Sequence, residues 1–340
     1  MSRTGRIFGM AATYIGTVVG AGFASGQEIL TFFARFGPCG FGGLALASLL
    51  LALTAERALA LGAGTGQGNT YYQSLLAMFG DRLAPYIDTA ILLFLCVLVG
   101  VMLAGAGALA LALDCPAWLG ILITACLGLL VLAADIPGIV TVNKLVVPYL
   151  IPIAAAVALG SLGGNHLSSP PANRSGWFPA ALLYASYNTV LSFPVLIALG
   201  AAERDYRVRR LASIFGTGGL FLMGGLILTA LLGCSATAMT AEAPMAAMAI
   251  GMGKTIGLAY SLLLWAGMFT SLLANAYGAA IRFRQIFGGP LIVWAGATMA
   301  LGIILSRFGF VRLVRTAYPA FGLFSLLILV RLLWRRWLTS

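Results

Sequence analysis

Apolar runs dominate the chain, and the few polar clusters between them set its architecture. A helix crossing the hydrocarbon core needs about 20 apolar residues. Ten runs qualify, at approximately 6–36, 40–62, 82–112, 117–134, 139–163, 177–200, 208–233, 255–286, 289–306 and 315–334. Runs 1, 3 and 8 exceed the minimum, so they tilt, break or project. The segment QGNTYYQSLLAMFG, 67–80, reads as a short interfacial helix, and the small-residue segment 237–252 as a helical hairpin outside the bilayer. Two runs have polar centres. Run 1 contains IGTVVGAGFASGQEIL, Ile15 to Leu30, with four glycines, a Gln and a Glu. Run 6, Trp177 to Gly200, contains Ser186-Tyr187-Asn188-Thr189, then Ser192 and Pro194.

Each glycine weakens a helix by about 1 kcal/mol relative to Ala, so Gly16, Gly20, Gly22 and Gly26 together weaken run 1 considerably. Ser25-Gly26-Gln27-Glu28 matches the capping box S-x-x-E, a helix-start signal. A start signal in mid-membrane predicts one helix ending near Gly16–Val19 and another beginning near Ser25. The backbone groups released between them must face protein or a watery cavity. The alternative is a small-residue packing surface of the GxxxG kind. In run 6, Pro194 lacks an N–H and predicts a second break or kink. Ten helices divide five plus five, and an odd number per half inverts the second half. Helix 1 then corresponds to helix 6, and a cavity is expected between the two breaks. The expected fold class is all-α: a polytopic membrane protein with one transmembrane domain over 1–340, a first repeat at about 6–163 and a second at about 177–334.

Composition agrees. Hydrophobic residues are 61% of the chain and charged residues 9%, against about 25% charged in soluble domains; mean hydropathy is +1.01. The net charge of +11 fits retention of Lys and Arg on the cytoplasmic side of a membrane. With the N-terminus inside, fourteen of the 20 basic residues fall there, including the cluster RDYRVRR at 204–210. Arg35, Arg174, Lys254, Arg307, Arg312 and Arg315 fall outside. The expectation is a multi-pass protein of the cell inner (plasma) membrane with both termini cytoplasmic. Arg3 and Arg6 before an apolar run resemble a signal peptide, but the run continues without a convincing cleavage site, so it reads as a retained helix. No basic, aromatic-interleaved motif favours nucleic acid. One His and five Cys without C-x-x-C spacing give no zinc or haem site. Cys39 and Cys115 both fall in expected outer loops and read as free thiols, though a bridge between them is conceivable. No catalytic or nucleotide-binding motif is present, so an enzyme is not expected, and neither is a cofactor.

IGTVVGAGFASGQEI and, in run 6, YASYN resemble the YkvI-like bacterial membrane proteins across essentially the full chain. That family is placed in the amino acid–polyamine–organocation superfamily. The resemblance implies the leucine-transporter fold, with helices 1 and 6 broken. It implies alternating-access secondary transport of a small polar solute, such as an amino acid or similar zwitterion. WAGMFTSLLANAYG, Trp265 to Gly278, further resembles helix 8 of the sodium-symporter branch. Carried over, Thr270 and Ser271 supply hydroxyls to a sodium ion, Gly267 a carbonyl, and Gly16 and Val19 carbonyls from the break. Phe23 stands where that branch has an asparagine for its other sodium site, so that site is not carried over.

The expected substrate-binding residues are Thr17, Gly20, Ala21, Gly22 and Ser25 in helix 1, and Tyr184, Tyr187, Asn188 and Thr189 in helix 6. For Tyr184, Tyr187 and Asn188 the alternative is interhelical hydrogen bonding or an aromatic belt, but their central position in the run favours lining a cavity. Glu28 either closes the capping box or carries a proton or meets an amine, since intramembrane acids are costly and usually functional. Lys144 either snorkels to the inner surface or, with Asn143 beside it, places its ammonium where sodium would sit, as the resemblance to proton-coupled relatives implies. Thr270 and Ser271 alternatively bond back to their own helix. Asp88 reads as a solvated or interfacial charge, and Asp135 as a loop residue. Sodium coupling, proton coupling and a solute-sensing receptor subunit on the same fold remain open. The expected partners are a small-molecule substrate and the lipid bilayer, not nucleic acid.

Overall fold

The computed structural model describes residues 2–65, 71–133, 149, 152–161 and 175–334. Asn143, Lys144, Asp135 and Arg174 lie outside the described residues. Every regular element among the described residues is a helix.

The first span is in pieces: α1 (Arg3–Val18), α2 (Ala21–Ala24) and α3 (Gln27–Phe32). Next come α4 (Cys39–Thr65), α5 (Tyr71–Ala112), α6 (Ala117–Ala133) and α7 (Pro152–Ser161). The second half holds α8 (Trp177–Ala202), α9 (Tyr206–Gly233), α12 (Lys254–Phe287), α13 (Leu291–Ser306) and α14 (Phe310–Trp334). Between α9 and α12 sits the expected hairpin, α10 (Ala236–Thr240) and α11 (Pro244–Met252). Six helices are long and apolar enough to cross a membrane: α4, α5, α8, α9, α12 and α14. Three shorter apolar helices, α6, α7 and α13, and the broken helix 1 accompany them among the described residues, at the positions of the remaining four expected spans. Exposed Leu49, Leu93, Leu222, Leu323 and Ile304 give the bundle an apolar outer surface suited to lipid.

The short interfacial segment is present as the first turns of α5, set off by Gly80 at φ 71°. That left-handed conformation is one that glycine adopts without penalty. The last span begins at Phe310, not Arg315, because Gly309 at φ 82° closes the turn after α13.

Glycines decide one seam. Helices α4 and α8 pack more extensively than any other pair. A Cβ on Gly62 would run into the Ile197 carbonyl oxygen, and one on Gly200 into the Leu59 carbonyl oxygen. Small residues therefore let two backbones touch, as membrane helices without a hydrophobic driving force require. Thr54 and Thr189 join the same helices by a hydroxyl contact of 3.0 Å.

Ion pairs gather on the side of the bundle that carries the N-terminus, here the near side. One guanidinium nitrogen of Arg6 donates to both carboxylate oxygens of Glu203, at 2.9 and 2.8 Å. Arg3 pairs with Asp205 at 3.5 Å, while Asp205 also caps α9 by accepting from the Arg207 N–H at 2.9 Å. Asp88 differs from its expected character. Only 2% exposed, it is ion-paired with Arg282 of α12 and accepts from the Tyr71 hydroxyl. The Arg282 guanidinium also lies 4.8 Å from the Tyr72 ring centre. A hydroxyl donor and a guanidinium let the acid be buried where solvation was expected. All five cysteines are free thiols.

Gly200→Ala is expected to lower stability by about 1–3 kcal/mol through overpacking against α4. Gly64→Ala, where an added Cβ would meet nothing within 4 Å, should be close to neutral. Thermal unfolding of both variants in mild detergent checks the contrast.

Candidate functional site

Helix 1 stops where its sequence is weakest. Val19 leaves the helix at φ −75°, ψ 81°. Its N–H still bonds to Ile15 O at 2.7 Å, but the Gly20 N–H turns to Val18 O at 2.9 Å. The Gly16 carbonyl thereby loses its helical donor. One turn of α2 follows, and Gly26 at φ 82° reverses the chain into α3.

The backbone released here is met from three directions. The Tyr260 hydroxyl of α12 donates to Ala24 O at 2.6 Å. The Met245 N–H of α11 donates to Ser25 O at 3.0 Å. The Ser25 hydroxyl donates to Gly22 O at 2.9 Å. The Gln27 amide also donates, to Ala241 O of the hairpin at 2.8 Å. Gln27 Oε1 and Thr31 Oγ1 are buried without a hydrogen-bond partner, leaving two polar atoms available to a ligand or water.

The capping box forms only in part. Ser25 Oγ accepts from the Gln27 N–H at 3.3 Å, but Gly26 is the residue that precedes α3. Glu28 does not reach back to Ser25. It crosses to helix α8, where the Tyr187 hydroxyl donates to its Oε2 at 2.6 Å. Glu28 is 4% exposed, and no ion pair involving it occurs among the described residues. The α2 backbone lies against it: a Cβ on Gly22 would strike its carboxyl group.

Helix 6 corrects the paired-break expectation. α8 runs unbroken from Trp177 to Ala202, through Asn188 and past Pro194. Its polar centre bonds to its own carbonyls. Ser186 donates to Leu183 O, Asn188 to Tyr184 O, Thr189 to Ala185 O and Ser192 to Asn188 O, at 2.7 to 3.1 Å. Ser186 also donates to Gly322 O of α14 at 2.6 Å and Thr189 meets Thr54 of α4; supplied along and across the helix, these groups do not open it, and Pro194 costs one backbone bond without ending it. The cavity between two breaks is therefore replaced by a broken helix 1 facing a continuous helix 6.

The structure brings Gly20, Gly22, Ser25, Glu28, Tyr184 and Tyr187 into one centre. Tyr184 and Tyr187 pack edge-on at 5.5 Å. Phe33 lies 4.8 Å from Tyr184, Phe32 5.6 Å from Tyr187, and Tyr318 of α14 5.1 Å from Tyr187. Ala21 belongs to α2. Thr17 turns away, donating to Thr13 O at 2.8 Å, and Thr189 serves the α4 seam. On α12, Ser271 Oγ lies 3.7 Å from where a Cβ of Gly20 would stand, so this helix faces the break. The Thr270 hydroxyl donates to Gly267 O at 2.9 Å.

Sequence reasoning missed Tyr260, Met245, Tyr318 and the phenylalanines. Phe32-Phe33 directly follow the glycine motif and were readable as its continuation. Tyr260 and Met245 carry no local signal, since they meet the break only through tertiary packing. Chemically the centre offers a buried acid with one hydroxyl partner, an aromatic surround and main-chain carbonyls released from a helix. Such a set is chemically suited to a small polar or cationic group.

No protein-family model matches the chain. Membrane protein YkvI of Bacillus subtilis (strain 168), itself uncharacterised, is 30% identical over 339 residues, covering 96% of this chain and 95% of YkvI. The chain belongs to the YkvI family. YyaD of the same organism is 24% identical, over 94% of each chain. Among solved structures, the inward-facing conformation of Mhp1 aligns with a TM-score of 0.65 at 15% identity, over 94% of this chain and 73% of that one. MhsT in complex with L-phenylalanine aligns at 0.60 and 18%, over 91% and 79%. A manganese transporter of Eremococcus coleocola aligns at 0.61 and 18%, over 94% and 78%. The fold of this YkvI-family chain is the leucine-transporter fold, in a multi-pass membrane protein.

A double-mutant cycle of Glu28→Gln and Tyr187→Phe is expected to show coupling of about 1 kcal/mol or more in unfolding free energy, as for a buried bond to an acid. Additive losses would mean the two groups do not act together.

Proposed function

We propose that the chain is a secondary transporter of a small polar solute, an amino acid or similar zwitterion, working by alternating access, and not an enzyme. The observation that carries this is the break in helix 1. Released main chain and a buried acid without a counter-charge meet at one place, against continuous helix 6. In a membrane such groups are too costly to keep without a use. The leucine-transporter fold supports the reading by analogy, and the neighbours of that fold are transporters. In this reading Gly20, Ala21, Gly22, Ser25, Tyr184 and Tyr187 contact the solute. Thr17, Asn188 and Thr189, bonded within their own helices, contribute backbone and shape. The Lys and Arg asymmetry supports a topology with the near side and both termini in the cytoplasm and the protein in the cell inner (plasma) membrane.

For coupling, we propose sodium, bound by the carbonyls of Gly16, Val19 and Gly267 and the hydroxyls of Thr270 and Ser271. The freed Gly16 carbonyl and the approach of Ser271 to Gly20 support it. A donating Thr270 hydroxyl still has lone pairs for a cation. A proton carried by Glu28 is the second reading, favoured by its burial without an ion pair; Lys144 lies outside the described residues. Uptake of labelled amino acids into proteoliposomes separates these. Replacing external sodium by choline is expected to reduce uptake at least tenfold, and Thr270→Ala with Ser271→Ala should do the same. Uptake that persists without sodium but disappears in Glu28→Gln would overturn sodium for protons. Binding without any accumulation would favour a sensing subunit over a transporter.

A further inference from the structure

On the far side of the bundle, Glu242 of the hairpin turn and the α13–α14 junction border an open depression of about 410 Å³. That is ample for a small molecule. Its walls include Phe308, Arg312, Arg315, Thr316 and Glu242. Among the described residues neither arginine nor Glu242 enters an ion pair. The Arg312 guanidinium lies 5.9 Å from the Phe308 ring centre. Arg35, just beyond α3, stands within electrostatic reach of Arg315. Two cations against one acid leave the lining of the depression net positive, and Arg35 nearby adds to that field. Partial desolvation raises the pKa of the Glu242 carboxyl, although the side chain stays exposed.

The depression lies above the candidate site on the same helix. Arg315 precedes Tyr318 by three residues, so the two share a face of α14 one turn apart. Tyr318 packs on Tyr187 at 5.1 Å, and Tyr187 holds Glu28. Paired arginines are suited to carboxylate, since their planar forks match its two oxygens.

We propose that this depression is an entry site for solutes bearing a carboxylate, which Arg312 and Arg315 hold before the solute descends past Tyr318. The inference deepens the transporter reading by assigning it a substrate class, and it rests on that reading for its purpose. The binding itself is testable without transport.

The test places a reporter thiol at the rim, Thr316→Cys, in full-length protein with Cys39, Cys115 and Cys126 changed to serine. Cys96 and Cys234 are buried. In phosphatidylcholine nanodiscs, an anionic methanethiosulfonate is expected to label the thiol roughly tenfold faster than a cationic one, because a positive cleft concentrates anions. Millimolar succinate should slow labelling, and tetramethylammonium should not. Arg312→Gln with Arg315→Gln should abolish both effects, and the double lysine variant should restore the charge preference. Equal rates for the two reagents, or no protection by succinate, would overturn the proposal. Protection that appears only with phosphatidylglycerol would also overturn it, by making the ligand a lipid headgroup. Succinate protection in a protein that accumulates no amino acid in proteoliposomes would keep the site and remove the transporter.

Discussion

A bilayer supplies no partner for a backbone that leaves its helix, and the organisation of this protein follows from how the break in helix 1 is supplied. Tyr260 reaches it from α12, Met245 from the hairpin and Ser25 from the break itself. These donors belong to elements far apart in sequence. The break can exist only once the second half of the chain has closed around the first. A local weakness, written by glycines, thus becomes a global requirement on α11 and α12.

The opposite solution holds on helix 6. Its serines, threonine and asparagine bond along α8, with Ser186 reaching α14 and Thr189 reaching α4 as well, so the helix stays whole and offers a rigid aromatic wall. Gly62 and Gly200 let that wall lie backbone to backbone on α4. The site is therefore asymmetric, with one irregular helix against one regular helix. Glu28 is the bond between them.

Much of this was legible in the sequence, and each failure has its own physical cause. The ten spans, the interrupted first helix, the hairpin at 237–252 and the turn near Gly80 all follow from hydropathy and glycine placement. The bond of Glu28 to the helix 6 tyrosine Tyr187 does not, because it joins residues 159 apart in sequence. What misled was polarity taken as interruption. The run Ser186–Thr189 resembles the break in helix 1 in composition, but lacks the glycines that make a helix weak. One proline did not suffice. Asp88 was misplaced because its partner, Arg282, lies 194 residues away, beyond any local pattern. The Ser25-to-Glu28 signal found the right place and gave the acid the wrong bond, since a buried hydroxyl on a facing helix outcompeted the local cap.

The two halves of helix 1 answer to different neighbours. α1 is anchored by Arg6 and Arg3 to Glu203 and Asp205, between α8 and α9. α2 and α3 are anchored through Ala24, Ser25 and Gln27 to α12 and the hairpin. Any relative displacement of those two sets of elements loads the stretch between the anchors. Val19 and Gly20 are the residues there whose torsions are not held by a regular helix. A force applied at one face of the membrane therefore has its compliance concentrated in two peptide units, beside the atoms that face α12.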